Sequence, residues 1–160
     1  MAARKTLRIG LISDTHGLLR PQAVHALEGA AHIVHAGDIG DPEILERLAR
    51  VAPLTAVRGN NDNGTWAAAI PVEQTLAIGG LTLYVLHDIK ELDLDPAAAG
   101  IDVVIAGHSH WPVISTGNGV LFVNPGSAGP RRFNLPVSVG LLDIAQGRAA
   151  AEIRMLDVSA

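Results

Sequence analysis

Two histidines flank one small residue in Gly107-His108-Ser109-His110, directly after the apolar run Val103-Val104-Ile105-Ala106. The run reads as a buried strand. The glycine lets the backbone turn where that strand ends. A His-x-His pair at such a point can aim two imidazoles at one ion or at two neighbouring ions. In isolation, two ordinary loop histidines would look the same. Four other stretches share the grammar, however. Leu11-Ile12-Ser13-Asp14-Thr15-His16 ends an apolar run in Asp-x-His, and Ile33-Val34-His35-Ala36-Gly37-Asp38 ends one in Gly-Asp. Ala56-Val57-Arg58-Gly59-Asn60-Asn61-Asp62 ends one in Gly-Asn, and Leu83-Tyr84-Val85-Leu86-His87 ends one in His. Each run stops at a carboxylate, an imidazole or an amide oxygen. The chain has no cysteine, which excludes disulfides and thiolate sites and leaves only oxygen and nitrogen to hold a metal.

These ligands need elements that end together. Residues 7–13 read as a strand buried on both faces. Pro21 opens a helix running to about Glu28, with Ala23, Val24 and Leu27 on its apolar side. Residues 31–35 form the next strand. Asp41-Pro42-Glu43 is a helix start, with Asp as the cap, proline in the first turn and an acid behind it. That helix buries Ile44, Leu45 and Leu48 through Ala49. Residues 54–57 form a third strand. Alternation of this kind implies parallel strands with right-handed crossovers. After Asn63-Gly64 the grammar changes to hairpins. Residues 73–78 and 81–86 flank Gly79-Gly80, residues 113–116 and 120–123 flank Gly117-Asn118-Gly119, and residues 137–144 and 149–156 flank Gln146-Gly147. A short helix is expected from Asp95 to its glycine stop at Gly100, before the strand at 103–106. A βαβ half followed by hairpins suggests two sheets packed face to face with helices outside. In open α/β sheets, ligands bind beyond the carboxyl ends of the strands, so five strand ends can converge on one site.

In this order the stretches resemble the calcineurin-like metallophosphoesterase superfamily, whose pattern is Asp-x-His, Gly-Asp, Gly-Asn-His-Asp/Glu, His and Gly-His-x-His. The resemblance spans nearly the whole chain. The short length and Asn124-Pro125-Gly126-Ser127 look like its small single-domain bacterial and archaeal branch, the YfcE-type phosphodiesterases. The resemblance implies an α/β fold, a four-layer α/β/β/α sandwich of two mixed sheets flanked by helices, as one domain over residues 1–160. It also implies two divalent ions: one held by Asp14, His16, Asp38 and His110, the other by Asp38, Asn60, His87 and His108. Asp38 would bridge, since a carboxylate has two oxygens to share. Mn²⁺ is the first expectation from the family; Fe²⁺, Ni²⁺, Co²⁺ and Zn²⁺ suit the same donors. The implied reaction is attack on phosphorus by a metal-bridging hydroxide, with the catalytic roles on Asp38, Asn60, Asn61 and His110. Two ions bring +4, Asp14 and Asp38 return two charges and the hydroxide a third, leaving about +1 to attract a phosphate ester. The sequence departs from the pattern twice. Asn61 stands where the family has a histidine that protonates the leaving oxygen or steadies the transition state. Asp88-Ile89 follow His87, where the small branch often has Gly-His.

Composition narrows the alternatives. A hydrophobic share of 48% with 18% charged residues describes a globular chain, and its length of 160 residues is enough to bury a core. A formal charge of −4 argues against nonspecific nucleic-acid binding, which needs a basic surface. No apolar stretch approaches a membrane span, and the apolar run at residues 7–13 is too short for a signal sequence. The expected compartment is the cytoplasm. The expected partner is a small phosphate ester, with homo-oligomerisation left open. A competing function is a protein-interaction scaffold that kept the fold and lost turnover, as in a retromer subunit; the intact ligand set speaks against it. A nucleotide-binding module finds no support, for no G-x-G-x-x-G follows the first strand and no P-loop occurs. Among the remaining polar residues, His25 and His32 read as surface or packing residues, and His35, close before Gly37-Asp38, as a candidate support for the ligands. Asp62 orients a loop or stabilises a turn, and Arg58 backs Asn60. Arg131 and Arg132 reach a phosphate or are simply solvated. Trp111 lines a pocket or packs.

Overall fold

The computed structural model describes residues 5–132 and 134–158. Its strands and helices in chain order are β1 (Leu7–Ile12), α1 (Pro21–Leu27), β2 (His32–His35), α2 (Pro42–Ala49), β3 (Leu54–Ala56), α3 (Thr65–Ala68), β4 (Glu73–Ile78), β5 (Leu81–Leu86), β6 (Val103–Ile105), β7 (Val113–Gly117), β8 (Val120–Asn124), β9 (Ser138–Ala145) and β10 (Arg148–Met155). One sheet has the order β10-β9-β1-β2-β3, the other β4-β5-β6-β8-β7. Both are mixed. β1, β2 and β3 run parallel, as do β5, β6 and β8, while each hairpin contributes an antiparallel edge. This is the expected α/β arrangement of two mixed sheets.

The sandwich follows from side-chain alternation. Ile9, Leu11 and Val34 of the first sheet meet Leu83, Val85, Val103 and Ile105 of the second, and all are fully buried. The neighbouring positions Ile12 and Ile33 point the other way, onto Leu27 of α1 and Leu48 of α2. α2 begins as its sequence dictates: the Asp41 side chain accepts from Glu43 N–H, and Pro42 fills the first turn. The outer face of the second sheet is more thinly covered. Tyr84, Leu86, Val104 and Phe122 lie under a 3₁₀ turn at Ile89–Glu91 and the segment running on to Ile101.

The helix expected at residues 95–100 is instead a set of turns. Asp95 Oδ1 accepts from Ala97 and Ala98 N–H, and Ala99 N–H closes one turn onto the Asp95 carbonyl. Gly100, at φ 77°, then ends the segment. The one bond of α-helical spacing there, from Ala99 N–H to the Asp95 carbonyl, is followed by a tighter bond from Gly100 N–H to the Ala97 carbonyl, so no helical run is propagated. The short α3, which seats Trp66 and Ile70 on the core beneath the first sheet, carried no apolar period long enough to be read from sequence.

Candidate metal centre

The five strand ends meet at one edge of the sandwich, stitched by backbone hydrogen bonds. The loop after β1 lies on the loop after β2: Asp14, His16 and Gly17 N–H donate to the carbonyls of Gly37, Asp38 and Ile39. Gly107 N–H donates to the His87 carbonyl, so the loop after β6 lies on that after β5. Asp62 clamps the β3 loop to the β2 loop. Its carboxylate accepts from Gly59 and Ile39 N–H through Oδ2, at 2.9 and 3.1 Å, and from Gly40 N–H through Oδ1 at 2.9 Å.

The described residues include seven non-glycine residues in the left-handed backbone region, and five of them are candidate ligands: Asp14 (56°), His16 (46°), Asp38 (56°), His108 (70°) and His110 (63°). The other two, Asn118 and Gln146, sit in hairpin turns. Side chains other than glycine adopt this region at a cost, and such strain collects where function demands a particular aim. The glycines beside the ligands have a different cause. A Cβ on Gly59 would stand 2.2 Å from Asp38 Oδ1, and one on Gly107 would stand 2.0 Å from Ser13 Oγ. Only the absence of a side chain lets these strands close on the carboxylates.

The ligand atoms fall into two groups, Asp14-His16-His110 and Asp38-His87-His108. In the first, Asp14 Oδ2 accepts from the Ser13 hydroxyl at 2.7 Å and from His108 N–H at 3.0 Å. Asp14 Oδ1 is buried and has no hydrogen-bond partner. It faces the Nε2 atoms of His110 at 3.4 Å, His16 at 3.6 Å and His87 at 3.8 Å. His16 and His110 bring their own Nε2 atoms to 3.3 Å. In the second group, His87 Nδ1 lies 2.7 Å from the Ala36 carbonyl. A carbonyl only accepts, so Nδ1 carries the hydrogen and Nε2 presents its lone pair, 3.2 Å from Asp38 Oδ2. His108 Nδ1 lies 3.3 Å from His87 Nε2 and 3.1 Å from Asn60 Oδ1. Asp38 Oδ2 also lies 3.8 Å from His16 Nε2, which places it between the groups.

The donor set fits divalent cations. Ligand atoms bound at about 2.1 Å and 90–109° apart lie roughly 3.0–3.4 Å from one another, near the spacings above. An orphaned, buried carboxylate oxygen facing three imidazoles is expensive unless a cation or proton lies between them. Burial by itself would raise the Asp14 carboxyl, yet the facing imidazoles of His110 and His16 and the hydrogen bond from Ser13 hold it far below the usual carboxylate range. Asp38 is likewise drawn down, burial being outweighed by His87 and the Asn61 N–H. His87 is shifted upward: burial opposes its charged form, but the carboxylates of Asp38 and Asp14 outweigh burial. Both carboxylates are thus held as anions that seek positive charge.

The structure brings together the seven residues expected as ligands. Asn61 is beside them, but its side-chain amide is turned onto Asp38 Oδ2 at 3.1 Å. Asn124 braces the His-x-His loop, donating to the Gly107 carbonyl and to Ser109 Oγ, while the Ser127 hydroxyl donates to the Asp14 carbonyl. His35 is fully buried behind the loops, bonded to Thr15 Oγ1 and Gly37 N–H. His25 is exposed near Glu28, and His32 bonds Thr55 Oγ1. Arg131 donates to the Leu135 carbonyl and Arg58 to that of Ala67. Trp111 is 55% exposed. Sequence reasoning noted Asp88 only as a departure from the family's Gly-His and gave it no role; its Oδ2 lies 3.7 Å from His108 Nε2. A polar cavity of about 520 Å³, lined by Arg58, Asn60, Asn63, His87, Asp88 and His108, opens on the second group. An apolar cavity of about 240 Å³ lies apart from it, on the outer face of the second sheet near Ile89 and Phe122.

Comparison with known proteins agrees with this geometry. A probable metallophosphoesterase of Methanothermobacter thermautotrophicus is 34% identical over 157 residues, covering 91% of this chain and 90% of the relative. The phosphodiesterase YfcE of Escherichia coli is 28% identical over 162 residues, covering 86% and 88%. Vacuolar protein sorting 29 from Cryptosporidium parvum superimposes with a TM-score of 0.75 at 18% identity, covering 94% of this chain and 98% of the other, and so shares the fold. The profile of the calcineurin-like phosphoesterase superfamily domain matches residues 7–147, which span every candidate ligand, and the chain belongs to that superfamily.

Proposed function

We propose that this protein is a metal-dependent phosphoesterase that uses a dinuclear divalent centre to hydrolyse small phosphodiesters or activated phosphate esters. The observation that carries the reading is the buried, unpartnered Asp14 Oδ1, ringed by imidazole nitrogens and adjoined by a second ligand group through Asp38. Asp14, His16 and His110 would hold one ion; Asn60, His87 and His108 the other; Asp38 both. Such ions, when bound, activate water as a nucleophile and neutralise charge developing at phosphorus.

The chain's own residues then divide the work. Asp14, Asp38, His87 and His110 are buried, whereas Asn60 and His108 are exposed. An ester therefore approaches from the Asn60–His108 side, where the polar cavity opens. Asn60 offers its amide to the phosphate region, the Asn61 amide is turned onto Asp38, and neither can deliver a proton near neutral pH. Esters with stable leaving anions are the better substrates on that account. A non-catalytic scaffold of the same fold needs none of these ligands, and the full set retained here, together with the 34% identical metallophosphoesterase, favours turnover. Stripping the protein with chelator, reconstituting it with Mn²⁺, Fe²⁺, Ni²⁺, Co²⁺ or Zn²⁺ and assaying a panel of diesters and monoesters tests the reading. Hydrolysis only after metal return supports it. No turnover with any ion or ester would leave the scaffold as the better account.

A further inference from the structure

We infer that Asp88 is a positioning residue for His108: it fixes which ring nitrogen His108 offers to a cation and tunes the strength of that one metal position. The inference rests on the dinuclear reading above. Ligand atoms of Asp38, Asn60, His87 and His108 converge at the second position, and from His108 it is Nδ1 that faces Asn60 Oδ1 and His87 Nε2. For Nδ1 to present a lone pair in the neutral ring, the hydrogen must sit on Nε2. Nε2 is the atom that faces the Asp88 carboxylate, at 3.7 Å and within reach of a small side-chain rotation. The carboxylate thus stabilises the required tautomer, restrains the ring and makes Nδ1 a stronger donor.

The device is local. His110, the partner in the His-x-His pair, has its Nδ1 buried without any hydrogen-bond partner. Its position relies on Asp14 and has no counterpart to Asp88. His108 also needs such restraint more than the other histidines do: its side chain is 44% exposed, against 16% for His16, 6% for His87 and 5% for His110. Asp88 is itself held in place, since its Oδ1 accepts from Lys90 N–H and starts the 3₁₀ turn. The geometry therefore links that turn, through one carboxylate, to a single metal position.

The test is calorimetric titration of the chelator-stripped full chain with Zn²⁺, for wild type and for Asp88→Ala, Asp88→Asn and Asp88→Glu. Asparagine keeps an oxygen for Lys90 N–H but carries no charge, so it separates the turn from the tuning and preserves the fold. Wild type should bind two ions. Asp88→Ala and Asp88→Asn should each weaken one of the two binding events by roughly 10–100-fold, the usual effect of losing such an outer partner. The other event should stay unchanged, and Asp88→Glu should restore affinity in part. Histidine ¹⁵N spectra of the Zn²⁺ form should show His108 protonated at Nε2 in wild type. Two ions bound by wild type, with both events unchanged or equally weakened in Asp88→Asn, would overturn the role of Asp88 alone. Failure of wild type to bind two ions would instead overturn the dinuclear reading, and this inference with it.

Discussion

Asn61 holds both oxygens of Asp38: its backbone N–H donates to Oδ1 at 2.8 Å and its side-chain amide to Oδ2 at 3.1 Å. The position at which the family pattern has a histidine is therefore spent here on orienting the Asp38 carboxylate. An amide donates a hydrogen bond but cannot transfer its proton to a departing oxygen, and general acid catalysis is typically worth ~10²–10⁴-fold. Hydrolysis should fall steeply as the leaving group becomes more basic, from nitrophenolate to alkoxide. Asn61→His should speed the poor leaving groups selectively. A leaving-group series under one metal measures both. A flat wild-type dependence, with chemistry rate-limiting, would mean that another acid serves.

Asp38 is the candidate ligand that comes nearest to both groups, with Oδ2 at 3.2 Å from His87 Nε2 and 3.8 Å from His16 Nε2. Asp38→Asn keeps the shape and an acceptor for the Asn61 N–H but removes the charge. Both metal affinities should fall together, each by at least the roughly 10–100-fold that loss of a weaker outer partner costs. Elemental analysis after dialysis against a fixed free-metal concentration reads this directly. Loss of only one ion would deny Asp38 the bridging place.

Alanine at His16, His87, His108 or His110 should cut metal-restored turnover by orders of magnitude, while alanine at His25 or His32 should change it little. The contrast is geometric: His16, His87 and His110 bring a ring nitrogen within 4 Å of the Asp14 or Asp38 carboxylate and His108 Nδ1 lies 3.3 Å from His87 Nε2, whereas His25 is 86% exposed and His32 is engaged by Thr55. Rates and folding measured side by side decide it. A His25→Ala variant as inactive as His108→Ala, with the fold intact, would contradict this account of the site.

The candidate ligands could be picked out because each closes an apolar run, and a run followed by Asp, Asn or His is a local feature of sequence. The α2 boundaries and the β4–β5 hairpin were legible for the same reason, their cap and turn residues being neighbours in the chain. The supports were not. Asp62 binds N–H groups 22 and 23 residues away, Asn61 reaches back 23 residues to Asp38, and Asn124 reaches 17 to Gly107. Contacts at those separations leave no period to count. Nor could sequence foretell left-handed backbone at Asp14, His16, Asp38, His108 and His110, because that conformation is imposed by the packing of loops upon one another. Where Asp62 was read as orienting a loop or stabilising a turn, the fold makes it a clamp between two loops.

That clamp has a measurable strength. Asp62 is 5% exposed and supplies the acceptors for Ile39, Gly40 and Gly59 N–H. Asp62→Ala leaves three backbone donors unpaired, each worth about 1–3 kcal/mol when buried. Partial hydration of the relaxed loops reduces the total. A loss of about 3 kcal/mol in denaturant unfolding is expected, together with weaker metal binding as the Asp38 and Asn60 loops separate. Asp62→Asn should fall between, because one amide oxygen replaces two carboxylate oxygens. A variant as stable as wild type would mean that the loops hold without the clamp.

His35 makes folding itself sensitive to acid. Its Nδ1 accepts from Gly37 N–H, and its Nε2 lies 3.0 Å from Thr15 Oγ1, whose hydroxyl donates to the Ile39 carbonyl. The Thr15 oxygen is thus left to accept, so Nε2 carries the hydrogen and the ring is neutral. Burial pushes the His35 pKa down to about 4, against the opposing pull of Asp14 and Asp62. In the unfolded chain the value is about 6.5. Above pH 6.5 the ring is neutral in both states, and the full stability is present. Between 6.5 and 4 the unfolded chain takes up a proton that the folded chain refuses, so stability falls as pH falls. A shift from 6.5 to about 4 corresponds to about 3 kcal/mol across that window. His35→Asn keeps an acceptor near Gly37 but does not titrate. It should be less stable than wild type at pH 7, and the gap should shrink by about 2–3 kcal/mol on descending to pH 4. Denaturant midpoints of chelator-stripped protein at several pH values give that difference, with the titration of the remaining histidines common to both chains. A gap independent of pH would show that His35 is charged in the fold, contrary to its hydrogen bonds.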